Sequence, residues 1–182
     1  MSRKYKFYNP DLPYFVSFAT IDWVDLFVRR EYNQILIDSL KYCQTNKGLL
    51  LHAWCIMTSH VHLIISSDDH PLDAIMRDLK SFTSRKLKEE IMHHPQESRK
   101  EWLSEMFSKA GQKNGNNKQW KLWQQHNQPI ALDNSKKMEQ RLDYLHENPV
   151  VAGFVEQPPE WRYSSAVDYA GGKGLLEIEH AF

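Results

Sequence analysis

Leu49-Leu50-Leu51-His52-Ala53-Trp54-Cys55-Ile56-Met57-Thr58-Ser59-His60-Val61-His62-Leu63-Ile64-Ile65-Ser66 is the stretch that decides the architecture. Its two apolar runs, 49–57 and 61–66, are parted only by Thr58-Ser59. That gap leaves no room for a crossover helix, so the runs read as an antiparallel hairpin of central strands. Before them, Pro13 to Ile21 is rich in aromatic and β-branched residues and follows Asn9-Pro10, which predicts a further strand. Between these strands, Tyr32, Ile35, Leu36, Leu40 and Cys43 recur at helical spacing from Glu31. With Gly48 in a C-cap position, a helix ending near Asn46 is expected. After the hairpin, Leu72, Ile75, Met76, Leu79, Phe82, Leu87 and Ile91 form one stripe on a helix from Asp73 to about Ile91. Gln119 to Gln124 alternates Trp120, Leu122 and Gln124 against Lys121 and Trp123 and predicts a fourth strand. A last helix starts with Ser135 as N-cap, runs through Met138, Leu142 and Leu145, and is stopped by Pro149. The class is α+β, an antiparallel sheet with helices packed mainly on one face.

The chain has 182 residues, 41% of them hydrophobic, with only seven Gly and eight Pro, which excludes disordered and low-complexity classes. One domain spanning 1–182 is expected, with an insertion at about 93–118 and an irregular aromatic tail from about Val150 that packs back over it. Inside the insertion, Trp102, Leu103, Met106 and Phe107 mark a short amphipathic helix. No apolar run approaches the roughly 20 residues of a bilayer span. The basic start, Met1-Ser2-Arg3-Lys4-Tyr5-Lys6, is followed by no apolar stretch of signal-peptide length, so a cytoplasmic location is expected. Cys43 and Cys55 are then expected to be reduced, and as a lone pair they have no metal-ligand spacing. The 23 basic and 23 acidic side chains cancel, so any attraction to nucleic acid requires charge segregated on one face.

His60 and His62 stand at alternate positions of an apolar strand. A period of two sends both imidazoles to one face, with β-carbons roughly 7 Å apart, a separation two rings can close on one cation. Packing alone would account for two satisfied histidines there. On the last helix, Tyr144 lies more than a quarter turn from the Met138, Leu142 and Leu145 stripe, and Asn148 shares its azimuth. A surface tyrosine followed by an Asn-Pro stop is the plain alternative. On the helix from Asp73, Arg77, Lys80, Ser81, Ser84, Arg85 and Lys88 lie opposite the apolar stripe, as either a solvated face or a strip that tracks phosphates. Arg3 and Lys4 would form a basic arm or a frayed end.

Together, Met57-Thr58-Ser59-His60-Val61-His62-Leu63-Ile64, the helix carrying Leu79-Lys80-Ser81-Phe82, Tyr144-Leu145-His146-Glu147-Asn148-Pro149-Val150-Val151-Ala152-Gly153 and Trp161-Arg162-Tyr163-Ser164-Ser165-Ala166 resemble the single-tyrosine HUH transposases. Among these the chain is similar to the REP-associated tyrosine transposases, relatives of the IS200-type enzymes, from about Tyr14 to Tyr169. Where that family has a proline and an asparagine before the first His, this chain has Thr58 and Ser59, which alters the turn more than the ligands. The resemblance implies a ferredoxin-like HUH nuclease fold and metal-dependent cleavage and strand transfer of single-stranded DNA at hairpin-bearing sites. It makes Tyr144 the nucleophile that forms a 5′-phosphotyrosine. His60, His62 and Asn148 become ligands of Mg2+ or Mn2+. Single-stranded or hairpin DNA is the implied partner, with Arg3, Lys4, Arg77, Lys80, Ser81 and Arg85 as DNA contacts, no membrane, and a homodimer left open. Two other readings compete: a domesticated hairpin-DNA-binding protein without transposition activity, and a metal hydrolase of small phosphoesters in which Tyr144 is dispensable.

Overall fold

A four-stranded antiparallel sheet in the order β2-β3-β1-β4 organises the computed structural model, which describes residues 7–68, 70–113, 119–125 and 127–180. The elements are β1 (Tyr14–Ala19), α1 (Arg30–Lys47), β2 (Leu49–Ile56), β3 (His60–Ser67), α2 (Leu72–His93), α3 (Lys100–Gln112), β4 (Ile130–Ala131), α4 (Ser135–Val151) and α5 (Ala166–Tyr169). The class is α+β, and β2 and β3 form the expected hairpin.

Alternation along β3 divides the core. Val61, Leu63 and Ile65 face Leu36, Ile37 and Leu40 of α1 and Ile75, Met76 and Leu79 of α2, and all are buried. Ile64 faces the other way, where Phe15, Ala53 and Cys55 pack against Met138 and Leu145 of α4. α1 and α2 therefore serve one face of the sheet, and α4 covers the other. α1 ends at Gly48, whose φ of 61° lets its N–H bond back to the Cys43 carbonyl.

Several expectations are corrected. Gln119 to Gln124 is not a strand, because it forms no ladder with a neighbour, and Trp120, Leu122 and Trp123 are all buried. The segment touches the end of β1 through one bridge, Thr20 with Trp123, and the fourth strand is instead Ile130–Ala131 beside Tyr14 and Phe15. Phe82 is 42% exposed, and Thr83 takes the buried place, its hydroxyl accepting the Trp123 Nε1–H at 3.0 Å. The N-cap of α4 is Asn134, whose side chain accepts from the Lys137 N–H, so Ser135 is the first helical residue. Pro149 does not stop α4, which runs on to Val151. Pro149 removes one late donor, and the Ala152 N–H still closes on the Asn148 carbonyl at 2.9 Å. Asn148 consequently keeps helical geometry.

The tail covers the free edge of β2. The Ile56 N–H donates to Tyr163 O, the Ser165 N–H to Trp54 O and the Glu179 N–H to Leu51 O, each at 2.8–2.9 Å. An uncovered edge would invite pairing with another chain. In the 93–113 region, Leu103 and Phe107 of α3 enter the main core. A Cβ on Gly111 would sit 2.5 Å from the Trp120 nitrogen, so only glycine admits that crossing. No helix among the described residues is long and apolar enough to cross a membrane.

Glu97 ties these layers together. Its buried carboxylate accepts from Arg29 Nε, Arg99 Nε and Tyr32 Oη at 2.9–3.0 Å, joining the start of α1 to the start of α3. Burial pushes its pKa up, but the hydrogen bonds from Arg99, Arg29 and Tyr32 outweigh it and hold the group at about 2. A depressed carboxylate contributes stability that is complete above its unfolded pKa of about 4.5 and is lost as pH falls toward 2. Glu97→Gln should therefore cost roughly 2–3 kcal/mol at neutral pH. Urea unfolding at a series of pH values should show a shallower acid limb between pH 4.5 and 2 than in the parent. An unchanged limb would remove Glu97 from this role.

Candidate active site

β3 delivers His60 and His62 to the α4 side of the sheet, where their ring centroids lie 4.7 Å apart. His62 stacks on Phe15 of β1 at 5.4 Å, and Tyr144 of α4 meets the His62 ring edge-on at 5.4 Å and Phe15 at 5.9 Å. Tyr144 is 49% exposed and His62 only 3%, so the aromatic ring forms the accessible wall over a buried imidazole. One turn further on, the Asn148 Nδ2 donates to the Tyr144 carbonyl at 2.8 Å. This leaves the amide oxygen for the imidazoles. His60, His62, Tyr144 and Asn148 are thus brought together.

The electrostatics keep both rings neutral at physiological pH. Burial lowers the pKa of His62 to about 3, with His60 and then Arg141 pushing the same way and Asn148 opposing. Burial also lowers His60, against Asn148 and Asp25. Each neutral ring keeps a lone pair for an acid. His60 Nδ1 has a partner in Ser59 Oγ at 3.1 Å, whereas neither nitrogen of buried His62 has a partner in hydrogen-bonding geometry. Leaving a buried polar group unsatisfied costs about 1–3 kcal/mol, and a cation at the pair would relieve that cost. Two imidazoles and an amide oxygen fit Mg2+ or Mn2+, with Mn2+ the better match for nitrogen. Among the described residues no group of three or more His, Cys, Asp or Glu is placed to hold a metal, and the Asn148 amide is the side chain that interacts with both imidazoles. The neighbours of Asn148 in sequence are directed elsewhere. His146 is buried with Nε2 on Ser165 Oγ at 2.9 Å, and Glu147 is exposed.

The α2 residues are not brought to this site. α2 packs on the opposite face of the sheet, and its exposed Arg77, Ser81 and Arg85 point away from the His pair. Arg77 pairs with Asp78 at 3.0 Å, and Arg85 lies over the Phe82 ring. Lys80 is corrected from a phosphate contact to a loop anchor. Its Nζ donates to Gln124 O and Asn127 Oδ1, both at 2.8 Å, and burial lowers its pKa to about 8. Arg3 and Lys4 lie outside the described residues.

Two further side chains complete the mouth. Arg141, three residues before Tyr144, lies over the rings of Phe15 at 5.3 Å and Tyr144 at 5.9 Å. Helical spacing from Tyr144 was signal enough to find it. Trp23 meets the His60 ring at 5.2 Å from a turn in which Asp22 and Trp23 both have positive φ, and no local motif announces that turn.

Comparison with known proteins bears on the fold and the family. The family model "Transposase IS200 like" matches residues 23–118, a segment that contains the His pair and ends before Tyr144. A curated protein of Haemophilus influenzae described as a REP-associated tyrosine transposase is 30% identical over 115 residues, 62% of this chain and 56% of that protein. The chain thus spans little more than half the length of this curated relative. A solved REP-associated tyrosine transposase, bound to a REP hairpin, superposes with a TM-score of 0.67 at 18% identity, covering 100% of this chain and 94% of that one, which establishes the shared fold. Since the family model accounts for more than half of its residues, including the strand that carries both imidazoles, the chain belongs to the IS200-like transposase family.

Proposed function

We propose that this chain cleaves and rejoins single-stranded DNA at hairpin-bearing sites, with Tyr144 as the nucleophile and a 5′-phosphotyrosine as the intermediate. The observation that carries the reading is the accessible Tyr144 ring set edge-on against a buried His62 whose two nitrogens have no partner in hydrogen-bonding geometry.

His60, His62 and Asn148 would hold Mg2+ or Mn2+. When bound, the cation supplies positive charge to the scissile phosphate and the leaving oxygen. Tyr144 Oη forms a bond to phosphorus as the bond from phosphorus to the 3′ oxygen breaks. The phenol proton is lost, and the departing oxygen takes up a proton to become a free 3′-hydroxyl. That hydroxyl, or another, later attacks the phosphotyrosine and releases Tyr144, so bond energy is conserved and no nucleotide is consumed. Arg141, with five donors and no ion-pair partner among the described residues, is placed to grip the phosphate beside Tyr144. On the far side of the sheet, the exposed Arg77, Ser81 and Arg85 are suited to the phosphates of a hairpin stem.

Tyr144→Phe removes one hydroxyl from a half-exposed ring, so folding and DNA binding should stay unchanged. The covalent adduct with labelled single-stranded hairpin DNA should disappear from denaturing gels, and persistence of the adduct would remove Tyr144 as nucleophile. For the third ligand, Asn148→Ala should weaken Mn2+ binding and slow cleavage, with partial recovery at higher Mn2+, while Glu147→Ala has little effect. Isothermal titration with Mn2+ together with single-turnover cleavage checks this, and the reverse ranking would reassign the ligand.

A further inference from the structure

We infer that Trp23 forms a nucleobase-stacking subsite beside the His pair, which takes an unpaired base of the DNA strand next to the cleavage point. The inference rests on the functional reading above and adds a residue that neither the motifs nor the family comparison assigns.

Three observations carry it. The first is placement: Phe15, His62, His60 and Trp23 form a continuous row of rings with successive centroids 5.4, 4.7 and 5.2 Å apart. Phe15 and His62 are buried, whereas Trp23 is 56% exposed, so the row surfaces at the indole. The second is backbone strain. Asp22 and Trp23 have φ of 53° and 54°, a left-handed conformation that Asp tolerates but a bulky aromatic adopts only at a cost. The third is the effort spent on holding that turn. The fully buried Thr20 donates its hydroxyl to Val24 O at 2.9 Å and lies 3.0 Å from Ser59 O, and its carbonyl accepts the Trp23 N–H at 3.2 Å. The same Thr20 thus clamps the Trp23 turn to the turn that precedes His60. Persisting strain of this kind, over-determined by its surroundings, concentrates at functional sites.

An exposed indole on a rigid support has the chemistry to stack an unpaired base, and every base offers a π-face. Stacking would fix the strand on one side of the scissile phosphate, while Tyr144 and Arg141 stand at the other end of the ring row. Such a subsite reads shape more than base identity.

The test uses the full chain carrying Tyr144→Phe, so that bound DNA is not cleaved. The probe is a labelled hairpin oligonucleotide with an unpaired mixed-sequence flank, in which single positions are replaced by 2-aminopurine or an abasic site. With Trp23 present, one flank position should show quenched 2-aminopurine fluorescence, and an abasic site there should weaken binding. Trp23→Asn, which suits left-handed backbone, should weaken binding of the intact probe about 5- to 100-fold and abolish both position-specific effects. Its thermal midpoint should be unchanged or higher, because strain is relieved. Unaltered binding, or a lowered midpoint that marks Trp23 as a packing residue, would overturn the inference. Failure of the chain with Tyr144 intact to form any covalent adduct would instead count against the functional reading.

Discussion

The site depends on the register of β3 between its two neighbours. Pairing of Ser17 with His62 and Ala19 with His60 on one side, and of Cys55 with His62 on the other, sends Val61, Leu63 and Ile65 toward α1 and α2 and leaves both imidazoles facing α4. A slip of one residue would drive two imidazoles into the larger apolar core and turn Val61 and Leu63 toward α4. Burial of the apolar set on the α1 and α2 side therefore enforces the position of the polar pair. Long-range packing of ordinary residues decides where the chemistry sits.

Site and core also divide the energetic load. Buried His62 has neither ring nitrogen in hydrogen-bonding geometry, and Trp23 holds a left-handed backbone. Both are local costs. The compensation lies elsewhere, in the Glu97 network, the covered edge of β2 and the contacts of Leu103 and Phe107. The two faces of the sheet differ accordingly. The face under α1 and α2 carries most of the buried apolar residues, and the face under α4 holds a smaller apolar cluster beside His60, His62 and Tyr144.

Much of this was legible in the sequence wherever a periodicity was complete. The hairpin, α1 and α2 lie within about two residues of where alternation and helical spacing put them, and the same two rules place His60 with His62 and Tyr144 with Asn148. Legibility ended where tertiary contacts overrode a local pattern. Trp123 is buried through Phe27 and Thr83 rather than by strand alternation. Pro149 is tolerated because it falls in the last turn of α4. Lys80 reads as a surface cation until residues 124 and 127 fold back to bind it. Trp23 needed a pair of positive φ angles that no residue type there announces.

The central claim is that two neutral imidazoles of one strand share a single cation beneath the tyrosine. Pulsed electron spin echo spectroscopy of Mn2+ added to the full chain measures this directly, because coordinated imidazole nitrogens modulate the echo. The account expects the modulation of two imidazole nitrogens in the parent protein and of one when His62 is replaced by Ala. Mn2+ that shows no imidazole nitrogen, or a spectrum unaltered by that replacement, would contradict it.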